Sequence, residues 1–368
     1  MKSTLLISLL FIVFSSFAQE EISTFKKEPC WKKSADRAGK RYAQWECGLS
    51  DTVVDCGEKL EMDPGTNTVF SRGTASPYTG YCETCHMNGL KQRTVYFVNG
   101  KQQGTDTTYY QSGCPQVVTS YVAGVENGVW TYYNDSSALE AWQIAYLDGQ
   151  KHGKSIYWKQ FITGKDAAGN ALYARDTAKI ENYNNGLLHG VKSDYWKDSK
   201  LRKEVYYKNG LLEGSFKTYN NEGTLTQDLN YKEGEKNGEF KYYFDNGVLL
   251  KTEVWDEGEK DGNFITYYIQ GFVQLSENYK NDKKEGWFEE RFPDNKIKRQ
   301  ALYKKDILVE EHVYDKYGNE IRTLGGEATE GKEDDAIPTD SKAAKKAEKK
   351  RLKEERKRLK KEAKSKKI

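Results

Sequence analysis

Three residues in the first third of the chain have the types and the spacing of a cofactor or metal site. The segment Cys82-Glu-Thr-Cys85-His86 matches Cys-x-x-Cys-His, the pattern by which c-type haem is attached through two thioether bonds. Thiolates and an imidazole are also ligands of Zn²⁺, but a tetrahedral zinc site needs a fourth ligand at close range. In an oxidising compartment such thiols usually form disulfide bonds instead. Three kinds of chemistry therefore compete for this segment.

The cysteine count favours disulfide bonds. The chain has six cysteines, at Cys30, Cys47, Cys56, Cys82, Cys85 and Cys114. An even number in an exported chain is typical of a disulfide framework, although the sequence does not fix the pairing. We therefore expect all six to be oxidised. Haem attachment through Cys82, Cys85 and His86 is the weaker alternative, because these residues fall in a predicted strand, where cysteines three apart point to opposite faces.

The N-terminus has the features of an export signal. Lys2 precedes an apolar run from Leu5 to Phe14, and Ser16-Phe17-Ala18 has the small-x-small pattern of a cleavage site. Residues 1–18 are therefore predicted to be a signal peptide. The mature chain is expected to be periplasmic, associated with the cell envelope, or secreted. Residues 19–75 are predicted to form a small segment braced by disulfides.

The strongest pattern in the sequence is an internal repeat of 24 residues. Aromatic residues recur at Phe97, Tyr121, Tyr146, Tyr183, Tyr207, Tyr231, Trp255, Tyr279 and Tyr303. Most are followed three residues later by a glycine, and four residues after that by a second one. The clearest pairs are Gly186 and Gly190, Gly210 and Gly214, Gly234 and Gly238, and Gly258 and Gly262; Asp282 and Asp306 replace the first glycine in the last two repeats. Periods of this length indicate a repeat architecture.

Each repeat is predicted to form one β-hairpin. In residues 231–255, Gly234 to Gly238 has the composition of a turn, Phe240 and Tyr242 share one face of a strand, and Asp245-Asn-Gly247 signals a second turn. A lone hairpin is marginally stable in water, so the repeats must pair with their neighbours. The predicted fold is all-β, an extended, single-layer, twisted antiparallel sheet.

One repeat carries an insertion of 13 residues around Lys159 to Asn170, near its hairpin tip. The simpler interpretation is a tolerated surface loop, because lengthening a loop costs little free energy. The alternative is a binding element, since insertions in repeat arrays project from one face and often carry function.

The repeat resembles the MORN (membrane occupation and recognition nexus) family and is most similar to its YwqK-type variant of antitoxin-like proteins. Ser76-Pro-Tyr-Thr-Gly80 is similar to the start of such an array, and Tyr109-Tyr110, Tyr132-Tyr133 and Tyr242-Tyr243 are similar to its aromatic pairs. The resemblance covers residues 76–323. It implies a hairpin array that binds proteins or lipids and has no shared catalytic residue. The signal peptide, the cysteines and the basic tail depart from a cytoplasmic antitoxin.

The C-terminus is predicted to be a basic helix. Residues 324–340 form an acidic linker, and residues 341–368 contain 15 basic and 4 acidic side chains, a net charge of +11. Ala, Glu, Lys, Arg and Leu are strong helix formers. Such a tail either increases solubility or binds an anionic surface. Nucleic acid would suit its charge but not an exported protein.

The rest of the sequence contains no nucleophile with a base, no nucleotide-binding loop and no cluster of metal ligands. We therefore expect no catalytic residue, no cofactor and no metal, and a protein that is not an enzyme. The expected function is an exported scaffold that binds a protein or an envelope component. The alternatives are, in order, immunity against a toxin, a c-type haem protein, and carbohydrate binding on exposed aromatic side chains.

Overall fold

The computed structural model describes Cys47 and residues 53–325. The predicted signal peptide, Cys30 and the predicted basic helix lie outside the described residues. The described chain is nearly all β-structure, in one large and mostly antiparallel sheet of many hairpins, which confirms this part of the predicted fold. Among these residues, no helix combines the length and the apolar character needed to cross a membrane.

The first part of the chain builds an N-terminal cap, formed by Cys47 and residues 53–71, and the first repeats. Its elements are β1 (Val53–Asp55), α1 (Cys56–Lys59), β2 (Leu60–Asp63), β3 (Thr68–Ser71), β4 (Gly80–Cys85), β5 (Lys91–Val98), β6 (Lys101–Gln102), β7 (Gly104–Tyr109), β8 (Pro115–Val122), β9 (Val125–Glu126), β10 (Gly128–Tyr133), β11 (Glu140–Leu147), β12 (Gln150–Lys165) and β13 (Ala171–Asn184).

The second part continues the array in the same rhythm. Its elements are β14 (Leu187–Leu188), β15 (Gly190–Tyr195), a 3₁₀ turn (Lys197–Ser199), β16 (Leu201–Lys208), β17 (Leu211–Tyr219), β18 (Leu225–Lys232), β19 (Glu235–Lys236), β20 (Gly238–Tyr243), β21 (Leu249–Asp256), β22 (Glu259–Lys260), β23 (Gly262–Tyr267), β24 (Val273–Lys280), β25 (Lys283–Lys284), β26 (Gly286–Arg291), β27 (Ile297–Lys304), β28 (Ile307–Tyr314) and β29 (Glu320–Leu324).

These strands form one large sheet in which antiparallel neighbours follow one another along the chain, from β4–β5 to β28–β29. β1 joins the first edge in parallel with β4, and β2 and β3 form a separate two-stranded sheet. Strand pairing is therefore local in sequence throughout the array, as expected for a repeat protein.

Each repeat has a tight turn at its first glycine. Tyr231 pairs with Lys236, and the two turn residues Glu233 and Gly234 have φ of 51° and 90°. Two residues with positive φ make the hairpin turn whose twist matches that of the flanking strands. Asp282 keeps the same conformation, with φ of 66°, because aspartate tolerates the left-handed region better than most residues do.

The second glycine lies outside the turn, contrary to the predicted turn from Gly234 to Gly238. β18 pairs with β19 beside the turn and with β20 further away, where Asp228 lies opposite Lys241. Between these two segments the register slips by two residues. Gly238 lies at this bulge with φ of 87°, so it begins the next strand. All eight predicted structural glycines have positive φ.

Aromatic side chains connect consecutive repeats on one face of the sheet. Phe240, which is fully buried, contacts Tyr231 and Trp255 with ring centroids 5.3 and 6.3 Å apart. The series continues through Phe264, Tyr279 and Phe288 to Tyr303, mostly in edge-to-face geometry. Such pairs contribute about 0.5–1.5 kcal/mol each beyond the burial of their area. This aromatic ladder is the core of the later repeats.

A charged group lies on the same face in the longest repeat. The Glu181 carboxylate is almost fully buried and accepts hydrogen bonds from Lys192 at 2.8 Å, Lys179 at 3.2 Å and the Tyr183 hydroxyl at 3.0 Å. Burial alone would raise the pKa of Glu181, but these hydrogen bonds outweigh it and lower the pKa to about 2.

Gly234→Val should destabilise the array by about 1–3 kcal/mol, because a β-branched residue adopts positive φ only with strain. Gly234→Asp should recover most of this loss, because aspartate occupies the equivalent turn position at Asp282. Thermal unfolding followed by circular dichroism measures both variants, with Lys165→Ala at the exposed hairpin tip as the control. Equal midpoints for Gly234→Val and Lys165→Ala would reject the requirement for positive φ.

Glu181 should make stability depend on acid pH. Its folded pKa lies below the unfolded value of 4.5, so its contribution is present above pH 4.5 and is lost as the pH falls towards about 2. Glu181→Gln should therefore lose less stability than the wild type between these two pH values. Denaturant unfolding across this window tests the prediction, with the exposed Glu58→Gln as the control. A wild-type pH profile in Glu181→Gln would contradict it.

Candidate functional site

The cysteines of the Cys-x-x-Cys-His segment are joined to the N-terminal cap. Cys82 forms a disulfide with Cys56, and Cys85 forms one with Cys47, with Cα atoms 5.1 and 5.8 Å apart. Four of the predicted disulfide cysteines are thus paired. Neither Cys82 nor Cys85 has a sulfur left for a thioether in this structure. This pairing favours the disulfide interpretation over haem attachment.

His86 has a structural position. It begins the loop that joins β4 to β5, at the end of the hairpin opposite the tight turn; we call the corresponding loop of each repeat its tip loop. The His86 Nε2 lies 3.0 Å from the carbonyl oxygen of Tyr109 in the next repeat. Cys114 is fully buried one repeat further on. Within residues 53–325 and at Cys47, no group of three or more His, Cys, Asp or Glu side chains is arranged to hold a metal ion.

The disulfides make a direct chemical prediction. Alkylation of the unreduced mature protein should add no mass, and non-reduced peptide mapping should recover the pairs Cys47–Cys85 and Cys56–Cys82. If all six cysteines are oxidised as expected, the third bond joins Cys30 to Cys114. Cys56→Ser should reduce stability by about 2–4 kcal/mol. Two or more alkylated cysteines in the wild type would contradict the three-disulfide framework.

The insertion forms a β-hairpin that projects beyond the rest of the sheet. β11 accompanies β12 only as far as Tyr157, and β15 accompanies β13 only from Lys179 onward. The β12–β13 ladder continues beyond both points until Lys165 lies opposite Ala171. We call residues 159–176 the projecting hairpin. Most of the insertion is thus paired strand rather than loop.

A polar turn closes the tip of the projecting hairpin. The Asp166 carboxylate accepts hydrogen bonds of 2.9 Å from the amides of Ala168 and Asn170, and Gly169 supplies a positive φ of 85°. Aspartate caps turns of this kind because its short side chain reaches the amides that follow it. The same arrangement recurs at Asp315 in the last tip loop.

The base of the projecting hairpin is held from both sides. On the β12 side, the Gln160 amide group bonds to the Ser137 hydroxyl and the Leu139 carbonyl. On the β13 side, the Asp176 carboxylate accepts a 2.9 Å hydrogen bond from the amide of Asp198 in the 3₁₀ turn. These contacts fix the direction in which the distal strands project.

One face of the projecting hairpin exposes side chains suited to binding a protein. Ile162 is 62% exposed and lies directly opposite Tyr173. Next to them, the Arg175 guanidinium stacks 4.1 Å above the ring of Trp158 and forms a 2.6 Å ion pair with Glu140. Tyr, Trp and Arg are the residues most enriched at binding hot spots. The ion pair and the stacking hold Arg175 in place before a partner arrives.

The projecting hairpin lies in a basic part of an otherwise acidic array. Residues 151–208 contain 12 basic and 6 acidic side chains, a net charge of +6. The rest of the array and its cap, residues 53–150 and 209–325, contain 22 basic and 33 acidic side chains, a net charge of −11. A local field of this kind favours negatively charged partners at this site.

Comparison with known proteins gives no family assignment. No family model and no curated protein matches the chain. Among solved structures, the TcdB2-TccC3-Cdc42 complex matches 71% of this chain at 12% identity with a TM-score of 0.15. The Tc holotoxin pore of Photorhabdus luminescens, with a mutated TccC3, matches 70% at 11% identity with a TM-score of 0.16. The chain spans 18% of the length of each. TM-scores this low carry no functional assignment.

Proposed function

We propose that this protein is an exported, non-catalytic β-repeat scaffold, similar to MORN arrays of the YwqK type, that binds a protein partner of the cell envelope. The observation that carries the proposal is the projecting hairpin. It is the place where the 24-residue repeat is interrupted by a paired hairpin that carries an exposed isoleucine beside half-buried aromatic side chains.

The surface chemistry supports binding of a protein. Ile162 and Tyr173 stand on a paired and anchored ladder, so little conformational entropy is lost when a partner covers them. Exposed apolar groups rimmed by polar ones are typical of interaction sites. Lys159, Lys165 and Asp166 surround the apolar pair in the sequence and provide such a rim.

The disulfides support the exported location. Two disulfides tie the cap to the first repeat, and such bonds persist in oxidising compartments. A second candidate function, immunity against a toxin, uses the same surface and differs only in the partner. The resemblance of the repeat to YwqK-type antitoxins favours this candidate.

Photo-crosslinking in the exporting cell tests the scaffold function. A photoreactive amino acid at position 162 should form a discrete adduct with one partner, whereas the same residue at position 269 should not. Ile269 is the control because it is also an exposed isoleucine, at 52%, but lies in the loop between β23 and β24, away from the projecting hairpin. Identical adduct patterns at the two positions would reject the projecting hairpin as the binding site.

A charge substitution should identify the same binding site without a crosslinker. Ile162→Asp should weaken binding of the captured partner at least about tenfold, as expected for a hot-spot residue, and Ile269→Asp should leave it unchanged. Identification of the partner as a toxin would favour immunity over a structural scaffold. Unchanged affinity of Ile162→Asp would contradict the proposed site.

A further inference from the structure

The distal strands of the projecting hairpin have open edges. Beyond Tyr157 on one side and Lys179 on the other, the described ladders pair these strands only with each other. Apart from the amide of Thr177, which bonds to the Ser199 hydroxyl, the backbone N–H and C=O groups on the outer side of distal β13 have no strand partner among the described residues. Natural edges are usually blocked by charges, prolines or bulges.

The two edges are not equivalent. β12 has a bulge at Thr163, since Ile162 lies opposite Tyr173 and Gly164 opposite Leu172. A bulge disturbs the spacing that a further strand needs. β13 has no bulge between Ala171 and Asp176. The β13 edge is therefore the better template for a further strand.

One contact shows which β13 groups point outward. The amide of Thr177 bonds at 3.3 Å to the Ser199 hydroxyl in the 3₁₀ turn, on the side away from β12. Backbone groups alternate in direction along an antiparallel strand. The N–H and C=O groups of Tyr173 and Arg175 therefore also point outward, towards the side occupied by the 3₁₀ turn.

The side chains along this edge differ between its two faces. Ile162 and Tyr173 lie on one face together with Arg175, whose charge is already paired with Glu140. On the other face, the ammonium group of Lys197 lies 5.8 Å from the centre of the Phe161 ring, so a positive charge stands beside the open edge. A strand that alternates apolar and acidic residues would place its apolar side chains beside Tyr173 on one face and its acidic side chains beside Lys197 on the other.

We propose that the partner contributes an extended segment, with alternating apolar and acidic side chains, that pairs with β13 at residues 171–175. The inference rests on the proposed binding function and specifies the chemistry of the partner. Main-chain hydrogen bonds would provide affinity, and alternate side chains would provide specificity. An anionic lipid or polysaccharide would also be attracted by Lys197 but cannot complete the outward hydrogen bonds of Tyr173 and Arg175.

The probe is a short soluble peptide that alternates valine and glutamate, tested against the full mature chain. A second peptide of the same sequence carries N-methyl groups on alternate amides and cannot form the ladder. The first peptide should bind, and the second should bind at least about tenfold more weakly. Hydrogen exchange of the Tyr173 and Arg175 amides should slow on binding of the first peptide. Equal binding of both peptides would overturn the inference.

The basic side chain provides a matched pair of variants. Lys197→Glu should weaken binding of the valine–glutamate peptide about tenfold, whereas Lys316→Glu should not. Lys316 is the control because its ammonium group also stacks on an aromatic ring in a tip loop, 5.0 Å from the centre of Tyr317. Equal effects of the two variants would also overturn the inference, as would binding of heparin or anionic vesicles in place of the peptide.

The inference and the proposed function can fail separately. If a partner crosslinks at position 162 but the amides of residues 171–175 exchange at the same rate in its presence, the scaffold function stands and strand addition is wrong. If the peptide binds at β13 but no cellular partner crosslinks at position 162, the strand-binding edge stands and the proposed function is wrong.

Discussion

The array depends on one hydrogen bond that is repeated at every tight turn. The amide of Gly234 donates to the carbonyl of Leu212 in the preceding repeat, and Gly258 donates in the same way to Lys236. Asp282 and Asp306 preserve the bond where glycine is replaced. Because each turn contacts the one before it, successive hairpins are placed at a constant offset. The positive φ of the turn residue points its amide N–H towards the carbonyl group in the preceding repeat.

This constant offset explains the period of the aromatic residues. With the turns in contact, residues 24 positions apart, such as Trp255 and Tyr279, occupy equivalent positions on neighbouring hairpins. The ring of Phe264 lies between these two and meets each of them edge to face. Lysines that follow the turns complete the packing: the ammonium group of Lys236 lies 3.9 Å from the centre of the Trp255 ring, and Lys260 lies 4.5 Å from that of Tyr279. A thin sheet thus obtains a core from aromatic and cation–π contacts, although few of its residues are fully buried.

The sequence could predict the features that local chemistry determines. The aromatic and glycine period indicated antiparallel hairpins, and the turn at Gly234 and the tip loop around Gly247 lie where their composition placed them. Gly238 was misassigned because composition does not distinguish a turn from a bulge when both need positive φ. The disulfide pairing could not be predicted from the sequence, since Cys56 is brought to Cys82 by the parallel pairing of β1 with β4.

The projecting hairpin is a second feature that residue types alone could not predict. The composition of a loop is found at Gly164 and in residues 166–170. The strand-forming residues on either side of them therefore could not be recognised from the sequence. Phe161 and Ile162 face Ala174 and Tyr173, and this cross-strand match is visible only once the register is known. The exposed face that carries the proposed function therefore could not be assigned from residue types alone.

The disulfides hold one end of the array, so its two ends differ in how they are stabilised. Disulfides tie the cap to β4, whereas β29 at the other end is held by pairing with β28, and all five of its residues are exposed. In a structure whose strands pair in sequence order, unfolding can proceed one hairpin at a time from the end that carries no disulfide within residues 53–325. Fraying should therefore begin at β29 and advance towards the cysteines, so the projecting hairpin, placed midway, is lost only after the later repeats.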